Sequence, residues 1–227
     1  MTNPHDHRGS SGDAEFARWN QRFSAPGYLF GTEPNEFLAS KAGLLRPGQR
    51  ALCVADGDGR NSVWLAERGL KVVAFDFSPV GVEKAKQLAR DRGVQVAFEL
   101  ADVYGWRWPA AEFDVVAAIF VQFADPAMRS FMFERIVRAL KPGGLLLLEG
   151  YTPKQLEYKT GGPSRVENLY TEALLCSAFA SLEILELRQY ERELSEGTQH
   201  SGPSALIDLA ARAPGGEIRV GDRTDIL

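Results

Sequence analysis

Twelve residues constrain this chain more than any others: Ala51 to Ser62, reading ALCVADGDGRNS. An unbroken apolar run from Ala51 to Ala55 stops at Asp-Gly-Asp-Gly. Arg60-Asn61-Ser62 then opens a segment with helical apolar spacing at Val63, Leu65 and Ala66. A strand, a glycine turn and a helix are predicted. Gly57 and Gly59 allow backbone conformations that a side chain forbids, and they expose bare main chain to a ligand. The N–H groups at the helix start favour a negatively charged partner. A second apolar strand, Lys71 to Asp76, ends in an acid about 20 residues past the turn, the separation at which a carboxylate reaches a pair of ribose hydroxyls.

The rest of the chain continues the alternation. Ser78 and Pro79 suit an N-cap and first helical position, and Val82, Ala85, Leu88 and Ala89 form an inner stripe closed by Gly93. Val94, Val96 and Phe98 alternate with polar residues as an outer strand ending near Ala101-Asp102. Phe113 to Phe120 reads as a strand buried on both faces, Pro126 to Leu140 as a helix stopped by Lys-Pro-Gly-Gly, and Leu145 to Glu149 as a fifth strand. Tyr151 to Asn168 is a long Gly/Pro-bearing loop, a kind of segment that often carries function. A helix from Thr171 to Phe179 precedes two strands, near Leu182–Leu194 and Ser204–Ala213, read as an antiparallel hairpin with His200 bracing its turn. Ahead of the glycine turn, short helices are expected over Asp13–Asn20 and Asn35–Leu45, the second with Pro34 at its start. Strand-helix alternation predicts a doubly wound parallel sheet, with ligand at the carboxyl ends of the strands where strand order reverses.

The 227 residues suffice for one α/β domain with a full core, expected over 13–213 between tails at 1–12 and 214–227. A net charge of −4 argues against a nucleic-acid partner. No apolar run reaches membrane-spanning length, and the N-terminus is too polar for a signal peptide, so a cytoplasmic setting without membrane partner is expected. Cys53 and Cys176 are far apart, and His5 and His7 sit in the expected tail, so neither a disulfide framework nor a metal site is expected.

Several stretches together carry a resemblance: LFGTEPNEFL at 29–38, GDGRNSVWLAERG at 57–69, VVAFDFSPVGVEKAKQLA at 72–89, FDVV at 113–116, LKPGGLLLLEGYTPKQLEYKTGGP at 140–163 and HSGPSALIDLAAR at 200–212. In this order they make the chain resemble the class I S-adenosylmethionine (SAM)-dependent methyltransferases, and within them the tellurite-resistance and thiopurine methyltransferase-like group. The fold implied is α/β, a Rossmann-like, mostly parallel seven-stranded sheet with an antiparallel last strand. The cofactor implied is SAM and the partner a small-molecule methyl acceptor. By this resemblance Ala55, Asp56, Gly57, Gly59 and Asn61 border the donor's methionine and ribose. Asp76 accepts from the ribose hydroxyls beside Phe77, Asp102 and Val103 meet the adenine, and Phe120 flanks the cofactor. Three positions depart from the family pattern: its first loop glycine is Ala55, its strand-one acid is Cys53 and its histidine after strand four is Gln122.

Tyr28, Phe30, Gln122, Tyr151 and Arg165 are expected to rim the acceptor side. For Tyr28 and Phe30 two readings stand, packing at the sheet edge or a lid over the turn. For Arg165 they are an oxyanion partner or a solvated loop residue. With few histidines, the acceptor expected is soft or already anionic, a thiol or chalcogen that needs little base help, and no catalytic residue is assigned. A dinucleotide-dependent oxidoreductase and a non-catalytic SAM-binding module remain as alternatives.

Overall fold

Apolar runs such as Ala51–Ala55 need cover on both faces. The computed structural model, which describes residues 10–197 and 200–215, provides it. Along β1 (Arg50–Val54) successive side chains enter different cores. Ala51 and Cys53 join a cluster with Leu38, Leu65, Val72 and Leu147. Leu52 and Val54 join one with Phe75, Met132, Ile136 and Leu148. This is the period-2 geometry of a strand placed inside a sandwich of helices.

The described residues form a seven-stranded sheet in the order β3-β2-β1-β4-β5-β7-β6. Its other strands are β2 (Lys71–Asp76), β3 (Val96–Leu100), β4 (Phe113–Ile119), β5 (Leu140–Tyr151), β6 (Glu183–Glu196) and β7 (His200–Arg212). The strands β3, β2, β1, β4 and β5 are mutually parallel, and β7 runs antiparallel between β5 and β6. The chain moves outward from β1 to β3, then returns to place β4 on the other side of β1. That reversal opens a crevice beyond the ends of β1 and β4.

The helices are α1 (Ser10–Phe23), α2 (Glu36–Ser40), α3 (Arg60–Glu67), α4 (Pro79–Asp91), α5 (Pro126–Ala139), α6 (Gln155–Tyr158) and α7 (Glu172–Ala178). α4 starts as its sequence predicts, with Gly81 N–H donating to Ser78 Oγ at 3.1 Å. α5 is capped in the same way by Asp125, which accepts from Met128 N–H at 2.9 Å.

Several boundaries differ from the sequence reading. α1 begins at Ser10, inside the stretch expected to be a tail, and runs on to Phe23. The helix expected over Asn35–Leu45 divides into α2 and a 3-10 turn at Ala42–Leu44. Asn35 acts as its cap, accepting from Leu38 N–H at 3.0 Å, so Pro34 lies outside the helix. β5 starts five residues early because Leu140 already pairs with Phe113, and Lys141–Gly144 form a bulge within the strand. The hairpin ladder extends to a Glu196–His200 pair, so Gly202 and Pro203 lie in β7 and not in its turn. The loop after β5 holds α6 and a 3-10 turn, Val166–Asn168. His5, His7 and most of the expected C-terminal tail lie outside the described residues, as does the His200 side chain.

Candidate functional site

The crevice holds a cavity of about 510 Å³ whose walls come from the ends of β1, β2 and β4, from α1 and from the loops after β3 and β5. The turn after β1 is unusual backbone. Ala55, Gly57 and Gly59 take φ values of 49°, 64° and 95°, all in the left-handed region. Asp56 N–H donates to Phe75 O at 3.1 Å, which pins the turn to β2. Gly57 N–H donates to Asp76 Oδ2 at 2.9 Å and Ser78 N–H donates to Asp76 Oδ1 at 2.8 Å, so one carboxylate holds the turn and the start of α4 together. A Cβ on Gly57 would come within 3.0 Å of the Phe23 ring of α1, so the turn presents bare main chain under that helix.

Burial sets the electrostatics at this end. Asp76 is 5% exposed, and desolvation lifts its pKa to about 6 against the opposing hydrogen bonds from Ser78 and Gly57. Asp56 is lifted further, to about 7, by desolvation, with Ser62 opposing through its hydroxyl and N–H and Asp76 adding like-charge repulsion. Such shifts follow from holding carboxylates out of water near one another.

Most of the expected residues line this cavity: Ala55, Asp56, Gly57, Asn61, Asp76 and Phe77, then Asp102, Val103, Phe30, Phe120, Gln122, Tyr151 and Arg165. Asp102 Oδ1 accepts from Tyr104 N–H at 3.0 Å and Gly105 N–H at 2.7 Å, which shapes the loop after β3. Phe120 holds a left-handed φ of 55° at the end of β4, and its ring packs on Tyr151 with centroids 4.8 Å apart. Such strain in a non-glycine residue is typical of functional sites.

Two expected residues lie elsewhere. Gly59 is not in the cavity wall. It caps α3, and a Cβ there would stand 2.7 Å from the Cα and Cβ of Ala85, so the glycine lets α4 close on α3. Tyr28 packs against Val63, Leu88 and Ala89, with its hydroxyl donating to Lys84 O at 3.4 Å, away from the cavity. Gln122 borders the cavity but spends its amide on backbone. Its Nε2 donates to Tyr151 O at 2.9 Å and Asn168 O at 3.0 Å, and its Oε1 accepts from Tyr151 N–H at 2.6 Å. At 3% exposure it acts as a clamp that fixes Tyr151.

Sequence reasoning missed two features. The first is the cover formed by α1, whose Phe16, Trp19, Arg22 and Phe23 reach the cavity. The apolar spacing of Phe16, Trp19 and Phe23 is legible in the sequence, but not what it covers. The second is the work of the residues that follow the turn. Asp58 accepts from Leu29 N–H at 2.7 Å, Arg60 donates to Phe30 O at 3.4 Å, and Asn61 accepts from Asn35 N–H at 3.0 Å. All three hold the segment 29–35 over α3. Asp58 is 1% exposed. Arg60 also makes a buried ion pair with Glu196 at 2.9 Å, and Asn35 Nδ2 donates to Glu196 and Glu149.

Residues 51–144 match the family described as a methyltransferase domain. An uncharacterized protein of Mycobacterium tuberculosis is 30% identical over 116 residues, which is 51% of this chain and 41% of the relative. The chain thus spans about two fifths of the length of such curated relatives. Solved structures share the fold over more of the chain. A SAM-dependent methyltransferase of Methanosarcina mazei superposes with a TM-score of 0.64 at 19% identity, covering 81% of this chain and 99% of its own. TehB from Haemophilus influenzae gives 0.64 at 14%, covering 88% and 67%. A protein from the conversion of a disulfide bond into a thioacetal group during echinomycin biosynthesis gives 0.69 at 18%, covering 88% and 90%. Residues 51–144, which include the Gly57 turn and Asp76, thus match a methyltransferase domain, and they sit in a fold shared with a solved SAM-dependent methyltransferase.

Proposed function

We propose that this protein transfers a methyl group from SAM to a small-molecule acceptor whose nucleophile is soft, a thiol or another chalcogen anion. The observation that carries the reading is the pairing of a bare backbone turn at Gly57 with the buried carboxylate of Asp76 at the floor of one cavity. The residues present fit the donor. The volume of about 510 Å³ is in the range of cofactor sites, and Gly57, with the Phe23 ring 3.0 Å from where a Cβ would stand, keeps the turn as bare main chain in the cavity wall. SAM, when bound, supplies a methyl group already activated by its attachment to a sulfonium.

The chain's own residues bind and orient. Asp76 would accept from the ribose hydroxyls with the lone pairs that Gly57 and Ser78 leave available. Ala55, Asp56 and Asn61 would border the methionine end, Phe77 the ribose, and Asp102 and Val103 the adenine. Phe120 and Tyr151 would close the far side, and α1 would exclude water. Among the described residues no histidine lines the cavity. Burial pushes the Tyr151 phenol well above its ordinary pKa, with Glu149 adding to the effect, so it stays protonated. With no histidine in the wall among the described residues and Tyr151 held protonated, the reading relies on orientation and exclusion of water, and these suffice for a nucleophile that is already anionic. The neighbour whose reaction alters sulfur bonds supports the same class.

Calorimetry with SAM and an assay of methyl transfer to thiol and selenol acceptors test the reading. We expect SAM binding that Asp76→Ala abolishes while circular dichroism stays native, together with turnover on thiols. No SAM binding by the unaltered protein, or turnover on alcohols and amines alone, overturns it.

A further inference from the structure

Behind the cavity wall lies a group of buried acids that methyl transfer does not use. Glu149 of β5 and Asp208 of β7 stand directly opposite each other in the antiparallel ladder, and Asp208 stands opposite Arg188 of β6. Glu149 is 2% exposed, Asp208 is fully buried and Glu196, at the end of β6, is buried as well. Two acids directly opposite in a sheet repel each other when both are charged.

Their contacts show how many protons they hold. The Glu149 and Asp208 carboxyls are hydrogen-bonded to each other, which two carboxyl oxygens can do only through a proton. The Tyr190 hydroxyl lies 3.2 Å from Glu149 Oε1 and 3.3 Å from Asp208 Oδ1, and a phenol has a single proton to donate between them. Charge balance agrees. Among the described residues, the acids Glu149, Asp208 and Glu196 meet two guanidiniums, Arg188 at 3.2 Å from Asp208 and Arg60 at 2.9 Å from Glu196. Asn35, Tyr151 and Tyr190 beside them are uncharged, Glu36 is paired with Arg192, and Arg22 of α1 acts on Tyr151. One proton therefore makes the cluster neutral. Burial, with Asp208 and then Glu196 adding like charge, holds Glu149 well above the ordinary carboxylate range.

The same acids hold the covering segment. Asn35 Nδ2 donates to Glu149 Oε2 and, at 3.2 Å, to Glu196 Oε1. Asn35 ends the segment 29–35, whose Phe30 lines the cavity, and Arg60 donates to Phe30 O at 3.4 Å as well as to Glu196. Strands β5 and β7 are laddered on both sides. Segment 29–35 is joined to the cluster through side chains, so it is the part that can yield.

We propose that Glu149 and Asp208 share one proton at neutral pH and that this proton is a pH-sensitive latch on segment 29–35. In alkaline solution the proton passes to solvent, and three charged carboxylates are left with two guanidiniums out of reach of water. Water that enters to solvate them displaces Asn35, and Phe30 leaves the cavity wall. The latch stands on the contacts of the cluster, and its effect on donor binding rests on the methyl-transfer reading.

The test uses the full chain with Glu149→Gln and Asp208→Asn, each the shape of a protonated acid that cannot lose its proton. Infrared spectra at about pH 8, above the value of about 7 at Asp56, should contain a protonated-carboxyl band that either variant removes. A raised acid contributes stability that is complete below its unfolded pKa and lost as pH climbs through the folded one. From about pH 7 to 9 the unfolding constant should therefore rise with pH more steeply in the unaltered protein than in either variant, by about tenfold per unit. Amide exchange over 29–35, corrected for its intrinsic rate, should quicken at least about tenfold more than exchange in β1 between about pH 7.5 and 9.5, and should not do so in the variants. Over the same range the SAM Kd should rise about tenfold relative to that of Glu149→Gln.

Absence of the infrared band, or equal unfolding slopes, overturns the shared proton. Exchange over 29–35 that follows β1 at every pH overturns the latch, and a SAM Kd that follows Glu149→Gln overturns its effect on the donor. Should Glu149→Gln fail to fold, Asp208→Asn takes its place in each comparison. All of these results leave the methyl-transfer reading standing. A protein that shows the band and the pH-dependent exchange and binds no SAM at any pH sinks that reading and keeps the latch.

Discussion

Asp76 shows how much one side chain decides. It receives the Gly57 and Ser78 amides, and its burial keeps its pKa near 6. An acid whose pKa rises on folding contributes stability that is complete below its unfolded value of 3.8. That contribution is lost as pH climbs through about 6. The protein without donor should therefore become less stable between about pH 4 and 7, and Asp76→Asn should flatten that slope in thermal melts at several pH values. SAM binding favours the ionised carboxylate, so its affinity should rise roughly fourfold from about pH 5.5 to pH 7.5, and calorimetry with Asp76→Asn should show that rise gone. Gly59 is decisive for another reason. Gly59→Ala places a Cβ 2.7 Å from Ala85 at a φ of 95°, and overpacking plus backbone strain should cost about 3 kcal/mol in denaturant unfolding.

Helix α1 depends on elements far from it in sequence. Ser78 Oγ accepts from Gly81 N–H to cap α4, and it also donates to Asn20 Oδ1 of α1 at 2.8 Å. One hydroxyl thus starts one helix and anchors another. Ser78→Ala should lower stability by about 1 kcal/mol, as loss of a cap does, and should speed hydrogen exchange in residues 15–23 more than in the sheet. A change confined to α4 would show that the Asn20 contact does not hold the cover. The apolar face of α1, with Phe16, Trp19 and Phe23, was readable as a helix stripe. Its partners Phe77 and Gly57 were not, because helical periodicity says which face is buried and nothing about what buries it.

Across the molecule, the end of β6 reaches back to the front of the chain. Glu196 pairs with Arg60 and receives Asn35 Nδ2 at 3.2 Å, so the hairpin, the segment 29–35 and the turn helix meet in one buried network. Glu196→Ala leaves the Arg60 charge without its partner, which should cost about 3–5 kcal/mol in denaturant unfolding, while Glu196→Gln should cost less. The pattern of β1, β2 and β4, the acid at Asp76, the cap at Ser78 and the closing hairpin were all determined by local sequence. Strand runs, glycine turns and caps act over a few residues, and the order of the motifs carries the fold. Tertiary structure alone decided that Gly59 serves helix packing, that Tyr28 faces away and that Gln122 is a backbone clamp. It also decided that Asp58, Arg60 and Asn61 hold the covering segment and that α1 lies over the cavity. Each of these depends on contacts between residues widely separated along the chain, whose distances are fixed only when the sheet has ordered its strands.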